Sequence, residues 1–265
     1  MTTDTARHSR RPLLVFGDDG SSPADTAWEW INDQPWPGWH MDVLTADTRG
    51  HEVEWGAPPR VIEWQPDWGR TEEPEGVEEL RFLKVVTDPR AMLADAEGVD
   101  LMVVGLRTHS FIQGFVTGST TEWLLHHPPA PMIVAGRAGT VRKVVLCTDG
   151  SEHARAARQS FCSMPLSARS AVTVLGVQDG RTDAEAAVSD AARALEGRVA
   201  AVDTRVVKGE PTSHILEHLE AEQPDLVVLG TRGLTGWKRL RLGSTASAVV
   251  RGAPCSSLIS AREVQ

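Results

Sequence analysis

The stretch that decides the fold runs from Asp225 to Val250, "DLVVLGTRGLTGWKRLRLGSTASAVV". It opens with a short apolar run, 225–230, of the kind a parallel sheet buries on both faces. Gly230, Gly233 and Gly243 follow in the spacing G-x2-G-x9-G, and Ser244 and Thr245 close the series where a helical pattern begins. Glycines remove Cβ atoms and permit positive φ, so successive N–H groups can converge on an anion. Ser244 and Thr245 are expected to cap the helix and to offer hydroxyls at its positive end. Strand, glycine-rich loop, hydroxyl pair and helix in that order point to an anion site.

The pattern occurs twice. In "DLMVVGLRTHSFIQGFVTGSTTEWLL", 100–125, Asp100 and Gly105 match Asp225 and Gly230, while Gly118, Ser119 and Thr120 match Gly243, Ser244 and Thr245. Thr108 stands where Gly233 stands in the later copy. Near the start of each half, Asp19-Gly20-Ser21 pairs with Asp149-Gly150-Ser151. A repeat of 125 residues is too long for a solenoid and reads as a duplicated domain. A length of 265 residues agrees, since roughly 150 residues make a domain.

In the second half, apolar runs at 143–147, 171–177, 201–207, 226–229 and 256–259 read as five strands. Helical patterns at 152–163, 183–196, 211–222 and 245–250 alternate with them. Such alternation predicts a parallel α/β sheet of Rossmann-like type, with ligands beyond the strand carboxyl ends. Asp149, Val177 and Gly230 all fall at such ends. The first half follows the same plan except between its second strand (41–46) and third (80–86). There Pro58, Pro59, Pro66 and Pro74 forbid a long helix, and Trp55, Trp64 and Trp68 interleave with acidic residues. This segment reads either as a lid-like docking loop or as a packed irregular connection anchored by its tryptophans. Residues 1–11 are expected to be disordered, and a short glycine-containing linker at 135–142 divides domains at 12–137 and 142–262.

Composition narrows the function. A formal net charge of −9, from 27 basic and 36 acidic residues, argues against a general nucleic-acid or anionic-membrane binder. No apolar stretch reaches membrane-spanning length, and the N-terminal apolar run ends after Phe16, too soon for a signal peptide. Three cysteines fit a reducing cytoplasm. His214 and His218 lie in an H-x-x-E-H pattern, yet no third zinc ligand stands out and the first half has no counterpart. A G-x-S-x-G elbow, a Walker A loop and a G-x-G-x-x-G fingerprint are all absent.

Together, Asp149-Gly150-Ser151 and Gly230-x2-Gly233-x9-Gly243-Ser244 resemble the motifs of the universal stress protein family, here as two tandem copies. Similarity to the ATP-binding branch implies an adenine nucleotide beside Asp149, with the Val177 backbone reading the adenine edge. It implies Gly230 under the ribose, and Gly233, Gly243, Ser244 and Thr245 around the phosphates. Lys238, Arg239 and Arg241 supply positive charge inside that loop, and a bridging Mg²⁺ would offset the nearby carboxylate. In the first half Asp19, Gly105, Gly118, Ser119 and Thr120 remain. Thr108 and a "HSFIQGFVT" stretch without Lys or Arg predict a weaker or silent site. The resemblance further implies pairing of the halves through their fifth strands, 131–135 and 256–259. It leaves open a homodimer and a regulatory protein partner. The function expected is nucleotide-dependent regulation of stress or energy state; a slow ATPase and a nucleotide-independent scaffold are the alternatives, and Asp149 alone offers itself as a general base.

Overall fold

The computed structural model describes residues 10–48, 60–106, 120–126, 128–231 and 242–260. The first half contributes β1 (Leu13–Gly17), α1 (Ser22–Asn32), β2 (His40–Ala46), β3 (Arg60–Glu63), β4 (Glu79–Val86), α2 (Pro89–Ala94), β5 (Leu101–Gly105), α3 (Thr120–His126) and β6 (Met132–Ala135). The second contributes β7 (Lys143–Cys147), α4 (Glu152–Ser163), β8 (Ala171–Gln178), α5 (Ala184–Leu195), β9 (Ala201–Lys208), α6 (Pro211–Glu222), β10 (Leu226–Gly230), α7 (Ser244–Gly252) and β11 (Ser256–Ser260). A 3-10 turn at Pro165–Arg169 joins α4 to β8.

Each half holds the expected five parallel strands, in the order β4-β2-β1-β5-β6 and β9-β8-β7-β10-β11. The strand order reverses beside β1 in one half and beside β7 in the other, and these are the switch points where open α/β sheets bind ligands. The two fifth strands, β6 and β11, pair antiparallel with Ile133 opposite Leu258, so one 11-stranded sheet crosses the molecule. The inner strands are apolar on both sides because helices cover both faces, whereas the edge strands β3 and β9 are largely exposed. Trp28, Ile31, Phe161, Val188 and Leu195 from α1, α4 and α5 pack one face. Leu93, Leu125, Ile215, Leu219 and Val249 from α2, α3, α6 and α7 pack the other. The linker is fastened to the end of α1: Gln34 donates to the Gly139 carbonyl (2.9 Å) and accepts from the Val141 amide (3.0 Å), and Gly139 N–H donates to Asp33 (2.7 Å).

The halves differ at one layer. Between β8 and β9 the chain forms α5, whereas between β2 and β4 it forms β3, antiparallel to β4, with Arg60 opposite Val86. The proline-rich reading excluded a helix there and overlooked this sixth strand. "RVIE" is a short β-branched run between Pro59 and Pro66, and pairing with β4 rather than its own length makes it a strand. Trp64 and Trp68 stack edge-to-face at 5.1 Å, and the Lys84 ammonium lies 3.8 Å from the Trp64 ring centre. Among the described residues, Trp64 and Trp68 thus pack on this connection while Val61 and Ile62 of β3 stay exposed; Trp55 lies outside them. Residues 1–9 also lie outside, while Arg10 is held by Asp100 (2.9 Å).

The seam carries a direct prediction. Ile133 and Leu258 are both fully buried and face each other across β6 and β11. Truncating either to alanine is expected to lower unfolding free energy by about 2–5 kcal/mol, and urea denaturation should show the loss in probes from both halves.

Candidate functional site

Gly230 ends β10, and its conformation does not need positive φ. A Cβ there would lie 2.6 Å from the His153 carbonyl carbon and 2.7 Å from the Ala154 amide nitrogen. Gly105 is in the same state at the end of β5, where a Cβ would meet the Pro23 carbonyl oxygen at 2.2 Å. Both glycines therefore let the first turn of the first helix of their half, α4 or α1, press onto the strand end. Of the two properties expected of these glycines, Gly230 uses the missing Cβ, here against a helix, and not positive φ. Positive φ is found instead at Gly20 and Gly150 (68° and 76°), which complete the Asp-Gly-Ser turns.

In the second half the Asp149 carboxylate accepts from the Ser151 amide (3.0 Å), an Asx turn that delivers Ser151 as N-cap of α4. Ser151 Oγ accepts from the Ala154 amide (3.2 Å). The adjoining strands are in register: Thr148 N–H donates to the Leu175 carbonyl (2.9 Å), two residues before Val177. Asp149, just past β7, Val177, near the end of β8, and Gly230, the last residue of β10, thus lie at the carboxyl ends of three neighbouring strands.

The start of α7 completes this edge with one correction. Gly243 (φ −62°, ψ 154°) is the N-cap, and Ser244 and Thr245 are the first helical residues, with no side-chain capping bond. Their hydroxyls do not cap because the helix begins one residue earlier than the pattern implied. The Gly243 amide is itself engaged, donating to the Thr231 carbonyl (2.7 Å). The amides of the first turn after Gly243 point toward the helix start and form its positive end. Gly233, Lys238, Arg239 and Arg241 lie outside the described residues.

In the first half a cleft of about 240 Å³ opens at the equivalent place. Gly17, Ala24, Ala46, Leu93 and Val104 form its apolar floor, and Asp19, Gly105 and Thr120 line it as the sequence predicted. No lysine or arginine is among its described lining residues. Gly118, Ser119 and Thr108 lie outside the described part.

Sequence reasoning missed the neighbour of Asp19. Asp18 is 2% exposed, and its carboxylate is gripped by Arg70 through Nε (2.9 Å) and Nη2 (3.0 Å). It also accepts from Trp68 Nε1 (2.9 Å) and the Gly20 amide (3.0 Å). Arg70 reaches Asp25 as well (2.8 Å) and lies over the Phe16 and Trp28 rings at 6.0 and 5.8 Å. The position of Asp18 is taken in the second half by Thr148, whose hydroxyl accepts from the Gly150 amide (3.2 Å). Where α5 lays Ala187 against Gly150, the first half lays Trp68 against Gly20. The doubled aspartate in "FGDDGSS" was the visible signal, but its partner lies 52 residues away in a segment without periodicity.

Other candidates resolve simply. His214 Nδ1 is 3.0 Å from Glu217, burial pushes the His218 imidazole below its usual range, and no metal-ligand cluster occurs among the described residues. His126 pairs with Glu122 (3.3 Å). Burial raises the Cys147 thiol well above the ordinary range and the Cys255 thiol to about 12, so both stay protonated and unreactive near neutral pH.

The family model described as the universal stress protein family matches residues 44–136 and 165–260. A universal stress protein of Methanocaldococcus jannaschii is 40% identical over 58 residues, 22% of this chain and 34% of that protein. A relative from Staphylococcus haemolyticus is 28% identical over 139 residues, 45% of this chain and 84% of that protein. The crystal structure of a universal stress protein from Archaeoglobus fulgidus superimposes with a TM-score of 0.65 over 94% of this chain and 98% of that one, at 16% identity. At that identity the likeness is one of fold.

The Asp18–Arg70 pair yields a stability prediction. Arg70→Met leaves a buried carboxylate uncompensated and is expected to cost roughly 3–5 kcal/mol. Adding Asp18→Thr, the residue the second half uses, should restore most of it; both are read by urea denaturation.

Proposed function

The chain belongs to the universal stress protein family, and we propose that this member is a nucleotide-dependent regulator of stress or energy state whose second half carries the main ATP site. The observation behind this reading is the single edge of the second half on which the Asp149 turn, the Val177 strand end, Gly230 and the start of α7 stand together. Adenine and ribose would lie against Asp149, the Val177 backbone and Gly230. The phosphates would lie at Gly233, Gly243, Ser244 and Thr245, where helix-start amides and the neighbouring Lys238, Arg239 and Arg241 favour negative charge. The donor set fits such a group. Mg²⁺ would be held through the phosphates, reducing repulsion from Asp149.

The first half is proposed to bind weakly or not at all. Its cleft offers Asp19, Gly105 and Thr120 but no cation among its described lining, and Thr108 replaces the middle glycine. The chain would work as two domains, 12–137 and 142–262, in the cytoplasm. It would pass its nucleotide state to a protein partner, as a monomer or a homodimer. No helix among the described residues is long and apolar enough to cross a membrane.

Calorimetric titration of the full chain with Mg-ATP tests the assignment. Asp149→Ala and Gly243→Val are each expected to weaken binding tenfold or more, while Asp19→Ala changes it less than twofold. A loss through Asp19→Ala equal to that through Asp149→Ala would reverse it. If ATP binds, a hundredfold excess over Kd adds about 2.7 kcal/mol to stability, which a thermal shift reads independently.

A further inference from the structure

Thr231 follows Gly230 directly and is 4% exposed. Three of its atoms reach three different elements. Its N–H donates to the Ser260 carbonyl of β11 (3.0 Å), its carbonyl accepts from the Gly243 amide at the start of α7 (2.7 Å), and its Oγ1 lies 3.2 Å from His153 Nδ1 on the first turn of α4. His153 belongs to the same turn that presses on Gly230 and is launched by Asp149-Gly150-Ser151. The His153–Thr231 hydrogen bond therefore joins the Asp149 side of the edge to the α7 side through one buried residue.

The first half shows what the edge looks like without this bond. Leu106 is the counterpart of Thr231, since its N–H donates to the Ala135 carbonyl (3.0 Å) as that of Thr231 does to Ser260. Pro23 is the counterpart of His153, since it presses on Gly105 as His153 presses on Gly230. Neither a leucine nor a proline side chain can form a hydrogen bond. The polar link is thus confined to the half with the complete glycine pattern.

We propose that His153 is a positioning residue that, through Thr231, fixes the α7 start and so sets affinity for the phosphate part of the nucleotide and not for the nucleoside. This rests on the second half being the nucleotide site. His153 needs no contact with ligand: it restrains Thr231, whose carbonyl holds Gly243 at the helix N-cap, and the amides of Ser244 and Thr245 keep their direction.

Two measurements on the full chain separate this proposal from the reading beneath it. In the nucleotide-free protein, His153→Ala and Thr231→Val should speed hydrogen exchange of the Gly243 amide about tenfold, the loss expected for one hydrogen bond. In titrations, the same variants should weaken ATP binding about tenfold and leave adenosine binding unchanged. His153→Asn should restore both, because its amide places a hydrogen-bonding atom where Nδ1 was; the longer side chain of His153→Gln should not. Unchanged Gly243 exchange, equal losses for ATP and adenosine, or failure of His153→Asn to rescue would each overturn the role of His153. A wild-type chain that binds no ATP would overturn the site assignment instead, and the exchange result would still decide whether His153 holds Gly243.

Discussion

Everything at the strand edge depends on a contact that leaves no room for a side chain. At Gly230 the backbone of α4 lies against the strand end, and at Gly105 that of α1 does the same. Any Cβ at either position would drive the helix away, and with it the Asp-Gly-Ser turn that begins the helix. The same contact brings Thr231 within reach of His153, and Thr231 in turn holds Gly243. At Gly230 and Gly105 the absent side chain is thus a packing requirement.

Duplication lets the molecule serve as its own comparison. Both halves keep five parallel strands and the glycine contact, and they share a seam of β6 against β11. They differ in what covers the Asp-Gly-Ser turn. The second half uses a helix, α5, with small residues against Gly150. The first uses Trp68 and Arg70, and the buried charge on Arg70 is matched by Asp18 with bidentate geometry. Losing Arg70 would leave the buried Asp18 carboxylate without its counter-charge, whereas Arg70 also has Asp25. The first half thus pairs its buried cation with its own carboxylate.

Much of this was legible from residue order. The second-half strands and helices lie within a residue or two of their sequence limits, because apolar runs of strand length alternate with amphipathic stretches and capping residues such as Ser151 and Asp183. Asp149, Val177 and Gly230 came together because strand carboxyl ends share one side of a parallel sheet. What was not legible depends on long-range partners. Strand β3 exists through β4, Asp18 through Arg70, and the start of α7 at Gly243 through Thr231. The local signals, a β-branched "RVIE" and a doubled aspartate, do not name the partner, which is a residue elsewhere in the chain or a backbone atom that carries no sequence identity.

In the function proposed, two similar halves hold one effective nucleotide site. Native mass spectrometry of the full chain with Mg-ATP measures that number directly. One bound ATP per chain, lost in Gly243→Val, is the result expected; two equivalent ATP molecules, or one that persists in Gly243→Val, would contradict it.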